Sequence, residues 1–205
     1  MKIIKTEQHP ADELLQRMRQ VTLLNQPDAF IYREACVSLE MISVSELSPA
    51  QYYILSPELE KIRQLKIELL NHGVNLYKLD GYITLWLEET ADPIDLLPAV
   101  VEESIEANGN IVNLINDGMH RLFMARLEWV IPQVVFIRGI PKHLPYYAYP
   151  IPDGWSTVKI VDDLPPELIK KWHRIENYKT LYRDFNSVFF NVGGPRGRFV
   201  KAGKF

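Results

Sequence analysis

Between Leu114 and Ala125 the hydrophobic period changes in mid-segment, and this switch constrains the fold more tightly than any other stretch of the sequence. Residues 110–115 read as a strand, whereas after Asn116-Asp117-Gly118 the residues Leu122, Phe123, Ala125, Arg126 and Trp129 recur at helical spacing. A strand that hands over directly to a helix through an Asp-Gly turn implies an α/β fold in which helices pack on a sheet. The helix start carries a second message. It presents unpaired N–H groups and partial positive charge, so His120 and Arg121 stand at the end that disfavours cations, by about 0.3 to 1 kcal/mol each. An anion resolves the mismatch: Gly118 permits close backbone approach, and Arg121 can grip a phosphate through two parallel hydrogen bonds. The plainer alternative is that Asp117 caps the helix and neutralises its neighbours while Gly118 serves only the turn.

The surrounding chain supplies the sheet and helices that this junction needs. Residues 11–24 place Leu14, Leu15, Met18, Val21 and Thr22 on one stripe, which predicts an amphipathic helix. Residues 37–47 predict a strand. A second helix is expected from a Ser56 cap and Pro57 to Asn71-His72-Gly73. Two hairpins follow: residues 74–79 with 82–88 across Asp80-Gly81, and residues 98–103 with 110–115 across Asn108-Gly109. Residues 133–137 predict a further strand ending at Arg138-Gly139. Prolines 141, 145, 150, 152, 165 and 166 mark an extended stretch, and residues 167–184 predict a final helix carrying Trp172, Tyr178, Leu181 and Tyr182. Gly193-Gly194-Pro195-Arg196-Gly197-Arg198 reads as a mobile basic tail.

Composition excludes several classes. With 205 residues, 47% hydrophobic and 24% charged, the chain suits one folded domain rather than a disordered or fibrous protein. No apolar run approaches the roughly 18 to 20 residues of a membrane span, and the first residues lack a signal-peptide core, so no membrane partner and a cytoplasmic location are expected. The lone Cys36 can form neither an internal disulfide nor a multi-cysteine zinc site, and is expected to be buried; His9, His72, His143 and His173 show no metal-ligand spacing. Charge is asymmetric. Residues 166–205 hold nine basic against three acidic residues, leaving the rest at −9. Such a segment either folds back on its own acidic body, the reading placed first, or contacts a phosphate-rich partner. Glu88, Glu89, Asp92 and Asp95 form an acidic cluster that reads first as a solvated loop and second as a Mg²⁺ site beside a nucleotide.

Leu97-Pro98-Ala99-Val100-Val101, the hairpin after it, Ile115-Asn116-Asp117-Gly118-Met119-His120-Arg121-Leu122 with Ala125, and Pro132-Gln133-Val134-Val135 together resemble the ParB/sulfiredoxin-like superfamily. Ser45-Glu46-Leu47-Ser48-Pro49-Ala50-Gln51 resembles the start of such domains. The resemblance spans residues 37–140. It implies a nucleotide-phosphate site on a strand-(Asp)-Gly-x-His-Arg-helix element, to which Asn116, Gly118, Met119, His120 and Arg121 contribute. Departures narrow the activity. Sulfiredoxins carry a reactive cysteine where this chain has Met119, which removes thiol chemistry and leaves Met119 for packing. Free-serine kinases of the superfamily place a glutamate after a Pro-His pair, whereas this chain reads Pro49-Ala50-Gln51, and an amide is no general base; Glu46, Glu102 and Glu103 remain as alternatives. No helix-turn-helix pattern follows in residues 141–205, so operator binding of the chromosome-partitioning kind is not expected.

The expectation is therefore an α/β (α+β) fold, a small mixed sheet of hairpins with packed helices, extended by helices at both ends. Its organisation is an N-terminal extension (residues 1–36), a ParB/sulfiredoxin-like domain (37–140), and a Pro-rich segment, helix and basic tail packed on that domain (141–205). The expected function is binding of a nucleotide (ATP, ADP or CTP, with Mg²⁺) or another phosphate ester at Asn116 to Arg121, with Arg138 as a second phosphate contact. A catalytic version would be phosphoryl transfer or triphosphate hydrolysis, using Asp117 to hold the metal, His120 to orient a phosphate and Arg121 to stabilise charge. The competing expectation is a non-catalytic nucleic-acid-associated or regulatory module whose basic C-terminal region supplies affinity; "nuclease-like" would be a family label only.

Overall fold

The hairpin expected around Asn108-Gly109 forms the middle of the molecule. The computed structural model describes residues 1–164 and 167–192, so the glycine-rich basic segment from Gly193 lies outside the described residues. In chain order the elements are β1 (Ile3–Pro10), α1 (Ala11–Met18), β2 (Thr22–Leu23), β3 (Gln26–Phe30), β4 (Cys36–Met41), β5 (Leu47–Ser48), β6 (Tyr53–Leu55), α2 (Ser56–Asn71), β7 (Gly81–Leu87), β8 (Ile94–Leu96), β9 (Ala99–Ile105), β10 (Ile111–Asp117), α3 (Met119–Leu127), β11 (Gln133–Arg138), β12 (Lys159–Val161) and β13 (Arg183–Asp184). The architecture is mixed α and β, with small sheets and three α-helices among the described residues.

The central sheet has the order β4-β11-β9-β10-β5. β9 and β10 pair antiparallel, β11 runs parallel to β9, and β4 and β5 close the two edges. Strand alternation sends Ala99, Val101, Val134 and Phe136 to one face, where they pack with Leu122 and Phe123 of α3. Val100, Val135 and Ile137 go to the other face, against Leu14 and Met18 of α1. Each of these side chains other than Ala99 stabilises the fold by about 1.5–3 kcal/mol on full burial, so α1 and α3 clamp the sheet from opposite sides.

A second sheet, β1-β7-β8, corrects the first expected hairpin. Residues 74–79 form no strand. Val74, Leu76, Tyr77 and Leu79 are buried as an irregular segment, and the Tyr77 carbonyl accepts the Gln133 N–H at 2.7 Å. β7 pairs instead with β1 over most of its length, Pro10 lying opposite Gly81. Gly81 (φ +138°) is required by that pairing rather than by a hairpin turn, because a Cβ there would sit 1.9 Å from the His9 carbonyl oxygen.

Other expectations also change. The first helix stops at Met18, after which Val21 bonds back to Met18 and Thr22–Leu23 enter a strand. The strand expected over residues 37–47 breaks after Met41 into a 3-10 turn (Val44–Glu46) and the short β5. Helix α2 matches its expected bounds, but Ser56 is its first residue rather than its cap and donates its hydroxyl to Asp162 at 2.5 Å. Cys36 is exposed, because it begins the edge strand β4. Residues 167–184 do not form a helix. Apart from a 3-10 turn (Tyr178–Leu181) and β13, the segment is irregular. It is tied by backbone bonds from Tyr52 to Lys170, Tyr149 to Trp172 and Arg174 to Tyr147, and these take groups that a helix would have paired internally. No helix among the described residues is long and apolar enough to cross a membrane.

Candidate functional site at the helix starts

β10 reaches α3 through one left-handed residue, Gly118 (φ 83°, ψ 21°), which serves as the helix N-cap. Its missing side chain matters twice. The conformation is costly for any residue with a Cβ, and a Cβ would lie 2.7 Å from that of Ala99 and 3.0 Å from Nη2 of Arg121. The close approach that Gly118 permits is therefore to β9 and to Arg121 itself. Met119 is buried in the sheet–helix core, as its apolar character implied.

Arg121 turns inward. Its Nη1 donates to the Leu97 carbonyl, and its Nη2 donates to Oδ2 of Asp117 at 3.1 Å. Burial pulls the guanidinium's pKa down, and the Asp117 carboxylate partly offsets this. Asp117 makes no side-chain cap; its carboxylate is engaged by the arginine four residues on. His120 faces a different element. The Leu55 N–H donates to its Nε2 at 3.4 Å, and Leu55 is the N-cap of α2. The start of α2 and the first turn of α3 therefore lie side by side at His120.

The remaining predicted residues lie elsewhere. The Asn116 side chain projects to the opposite face of the sheet, where its amide donates to Tyr32 Oη at 2.9 Å and to Glu102. Arg138 is not brought to the junction. It ends β11 beyond the Ile137–Glu102 pair, three residues along β9 from the Val100 that pairs with Asp117, a separation of about 10 Å at strand spacing. Its guanidinium is held by Glu40 through bonds of 2.6 and 2.9 Å and lies over the Phe136 ring.

Among the described residues no group of three or more His, Cys, Asp and Glu side chains could hold a metal. Near the junction, Asp117 is bonded to Arg121 and Asp162 accepts from the Ser56 hydroxyl. The acidic cluster divides. Glu88 and Glu89 pair at the surface with Lys2 and the N-terminus, whereas Asp95 is buried and accepts from the Thr84 hydroxyl at 2.6 Å and the Phe190 N–H at 2.9 Å. A cleft of about 580 Å³ lies away from the junction, between the β2–β3 turn, Leu144 and the Tyr178–Leu181 turn.

Sequence reasoning missed the most deeply buried polar cluster. Glu102 of β9 accepts from both Nε and Nη2 of Arg183, at 2.9 and 2.8 Å, and from Tyr32 Oη at 2.5 Å. Arg183 also donates to the carbonyls of Leu144, Pro145 and Leu181. Burial, and then the Glu102 charge, push the Tyr32 phenol well up. No local pattern announces a pair 81 residues apart. Arg174 likewise grips Glu106, at 3.0 and 2.6 Å. These two arginines of the basic C-terminal region thus fold back on acidic groups of β9 and the loop after it.

The family comparison agrees with the resemblance that the sequence motifs carry. A family model described as the ParB CE domain matches residues 13–159, from α1 to the start of β12, and so extends on both sides of the region that the motifs marked. Neither curated proteins nor solved structures returned a match. Because the family model covers most of the chain, the protein belongs to the ParB CE domain family.

Proposed function

We propose that this ParB CE domain is a nucleic-acid-associated module that binds a nucleotide phosphate where α2 and α3 begin, and that its chemistry there is binding rather than transfer. The observation that carries the reading is the contact of Leu55 N–H with His120, which joins two helix starts at one imidazole. A phosphate oxygen arriving there takes the Leu55 N–H from the ring and meets the leading amides of both helices. Arg121 lies one residue further on. It stays bonded to Asp117 and the Leu97 carbonyl, so the Asp117 carboxylate opposes an arriving anion rather than holding a metal. Mg²⁺ would arrive on a triphosphate, held mainly by the phosphates and water.

The test is thermal denaturation with ATP, ADP, CTP, GTP and pyrophosphate, each with and without Mg²⁺. A ligand at a hundred times its Kd adds about 2.7 kcal/mol of stability, or about 5–11 °C for a chain of this size. His120→Ala is expected to weaken the binding nucleotide about tenfold, and Asp117→Asn to strengthen it. Absence of any shift with millimolar triphosphate refutes the site, and phosphate release above background refutes binding without transfer.

A further inference from the structure

An outer strand offers unpaired N–H and carbonyl groups to any other strand, and folded chains guard such edges with lysine, proline, bulges, short length or a covering segment. Other edges of this fold are guarded in these ways. β1 carries Lys5 and Pro10 and a register shift between Ile3 and Lys5, β3 carries Pro27 and Asp28, and β5 has two residues. The β8 edge is taken by Phe190, whose carbonyl accepts the Asp95 N–H at 2.7 Å. The exception is β4, an outer strand of the central sheet. Cys36-Val37-Ser38-Leu39-Glu40-Met41 has six residues, no proline, no lysine and an unbroken register with β11. Its one charge, on Glu40, is answered by Arg138.

The ladder fixes which groups are open. The pairing of Met41 with Gln133 continues to the Ile42 N–H, which donates to the Pro132 carbonyl at 3.2 Å. Backbone direction alternates along a strand, so residues 36, 38 and 40 bond toward β11 while Val37, Leu39 and Met41 direct N–H and carbonyl groups outward. Among the described residues these outward groups have no hydrogen-bond partner. The three side chains share one face, where Val37 and Leu39 join the core against α1 and Met41 is left 51% exposed. A second copy fits this edge in one register. With Leu39 opposite its own counterpart at a two-fold axis, the outward groups of residues 37, 39 and 41 meet those of the other copy, and Val37 covers the other Met41. Glu40 then stands opposite Ser38, a hydroxyl of the kind that already donates to it at 2.6 Å within the chain. Moving the axis to Glu40 opposes two carboxylates, and moving it to Ser38 carries Met41 beyond the paired strand.

We propose that β4 is a self-association edge, at which two copies of this chain pair antiparallel about Leu39 and join their central sheets into one. The proposal uses none of the residues near His120 and stands whether or not the helix starts bind phosphate. Residues 37–41 of each copy make a small contact beside a standard interface, so the dimer is expected to be weak and concentration-dependent.

The experiment combines sedimentation equilibrium of the full chain over a range of concentrations with pulsed dipolar EPR on a spin label at Cys36, the chain's single cysteine and an exposed one. In the proposed register Cys36 lies across from Ile42 of the other copy, so the two labels stand six residues apart along the ribbon, about 20 Å at strand spacing. Met41→Lys places a cation on the edge, and Met41→Pro removes an outward N–H without touching the bonds to β11. Each is expected to weaken association about tenfold or more, while Met41→Leu retains it. Circular dichroism checks that the variants fold, and Met41→Lys keeps the test open should proline perturb the strand. Hydrogen exchange at the Val37, Leu39 and Met41 amides should be fast in dilute solution and slow as the dimer forms. A chain that stays monomeric at millimolar concentration overturns the proposal. So does protection of those amides at every dilution, which would mean that the chain covers its own edge. A dimer whose labels lie far from the strand-spacing distance, or one indifferent to both Met41→Lys and Met41→Pro, uses another surface and overturns the proposal as well.

Discussion

Arg183 is the point at which the C-terminal segment is fastened to the central sheet, and removing its charge should cost far more than removing any surface cation. The Arg183 and Glu102 side chains are 1% and 2% exposed, so water screens neither. Burial alone lowers the arginine's pKa, and the charge and hydrogen bonds of Glu102 more than reverse this. Arg183→Met keeps much of the side-chain volume but strands the carboxylate, with Tyr32 and Asn116 left to donate to it among the described residues. Breaking a buried pair from one side costs about 3–5 kcal/mol, which for a chain of this length is a drop of about 6–20 °C in Tm. Glu102→Leu should cost a similar amount, by leaving the guanidinium unpaired. The double variant removes both charges and should recover most of the loss, because a buried ion pair is often replaceable by apolar groups at little net cost. Urea denaturation of the wild type, both single variants and the double variant gives the coupling energy directly. A single-variant loss below about 1 kcal/mol, the range of a solvent-exposed pair, would refute the reasoning, and so would losses that simply add in the double variant.

Three further outcomes follow from local geometry. Gly118→Ala forces a Cβ into a left-handed position 2.7 Å from that of Ala99, and should destabilise by about 2 kcal/mol or more in thermal melts. Trp129→Gly should stabilise by about 0.5–1 kcal/mol: Trp129 has φ +56° just after α3 and is 95% exposed, so glycine relieves strain while sacrificing almost no burial. Glu106 opposes its own burial through hydrogen bonds from Arg174 and Ser104, and its folded pKa lies below the ordinary 4.5. A depressed carboxylate contributes stability that is present above the unfolded value and is lost as pH falls through the folded one. Glu106→Gln should therefore flatten the decline in stability below about pH 4.5, and a variant that keeps the wild-type acid limb in urea titrations would contradict this.

What the sequence disclosed were features set by neighbours in the chain. The period switch at Asn116-Asp117-Gly118, the loop at Asn108-Gly109 and the Pro57 start of α2 are all local, and all formed where expected. What it concealed required partners far along the chain. Residues 74–79 alternate like a strand, but β1 takes the edge of β7 that they would have used. Residues 167–184 carry aromatic and basic groups at helical spacing, yet the backbone bonds at Lys170, Trp172 and Arg174 go to residues 52, 149 and 147. A helix would satisfy those groups locally but would forfeit the burial of Arg183 against Glu102.

The cations at the start of α3 show how a correct local observation can support too strong an inference. A guanidinium in the first turn is disfavoured by the helix dipole, but only by about 0.3–1 kcal/mol. Asp117 lies four residues earlier, the acid-before-base order that favours an i,i+4 pair, and this spacing was visible in the sequence. That bond and the Leu97 carbonyl together answer Arg121's charge within the chain. The mismatch therefore does not by itself demand an anion. The stronger argument comes from what no local pattern contains: β6 carries the start of α2 to within 3.4 Å of His120, so that two helix N-termini converge on one imidazole. One helix start is commonly satisfied by its own cap, but neither α2 nor α3 has a side-chain cap. Two starts without a side-chain cap beside one histidine are what the proposed phosphate site rests on.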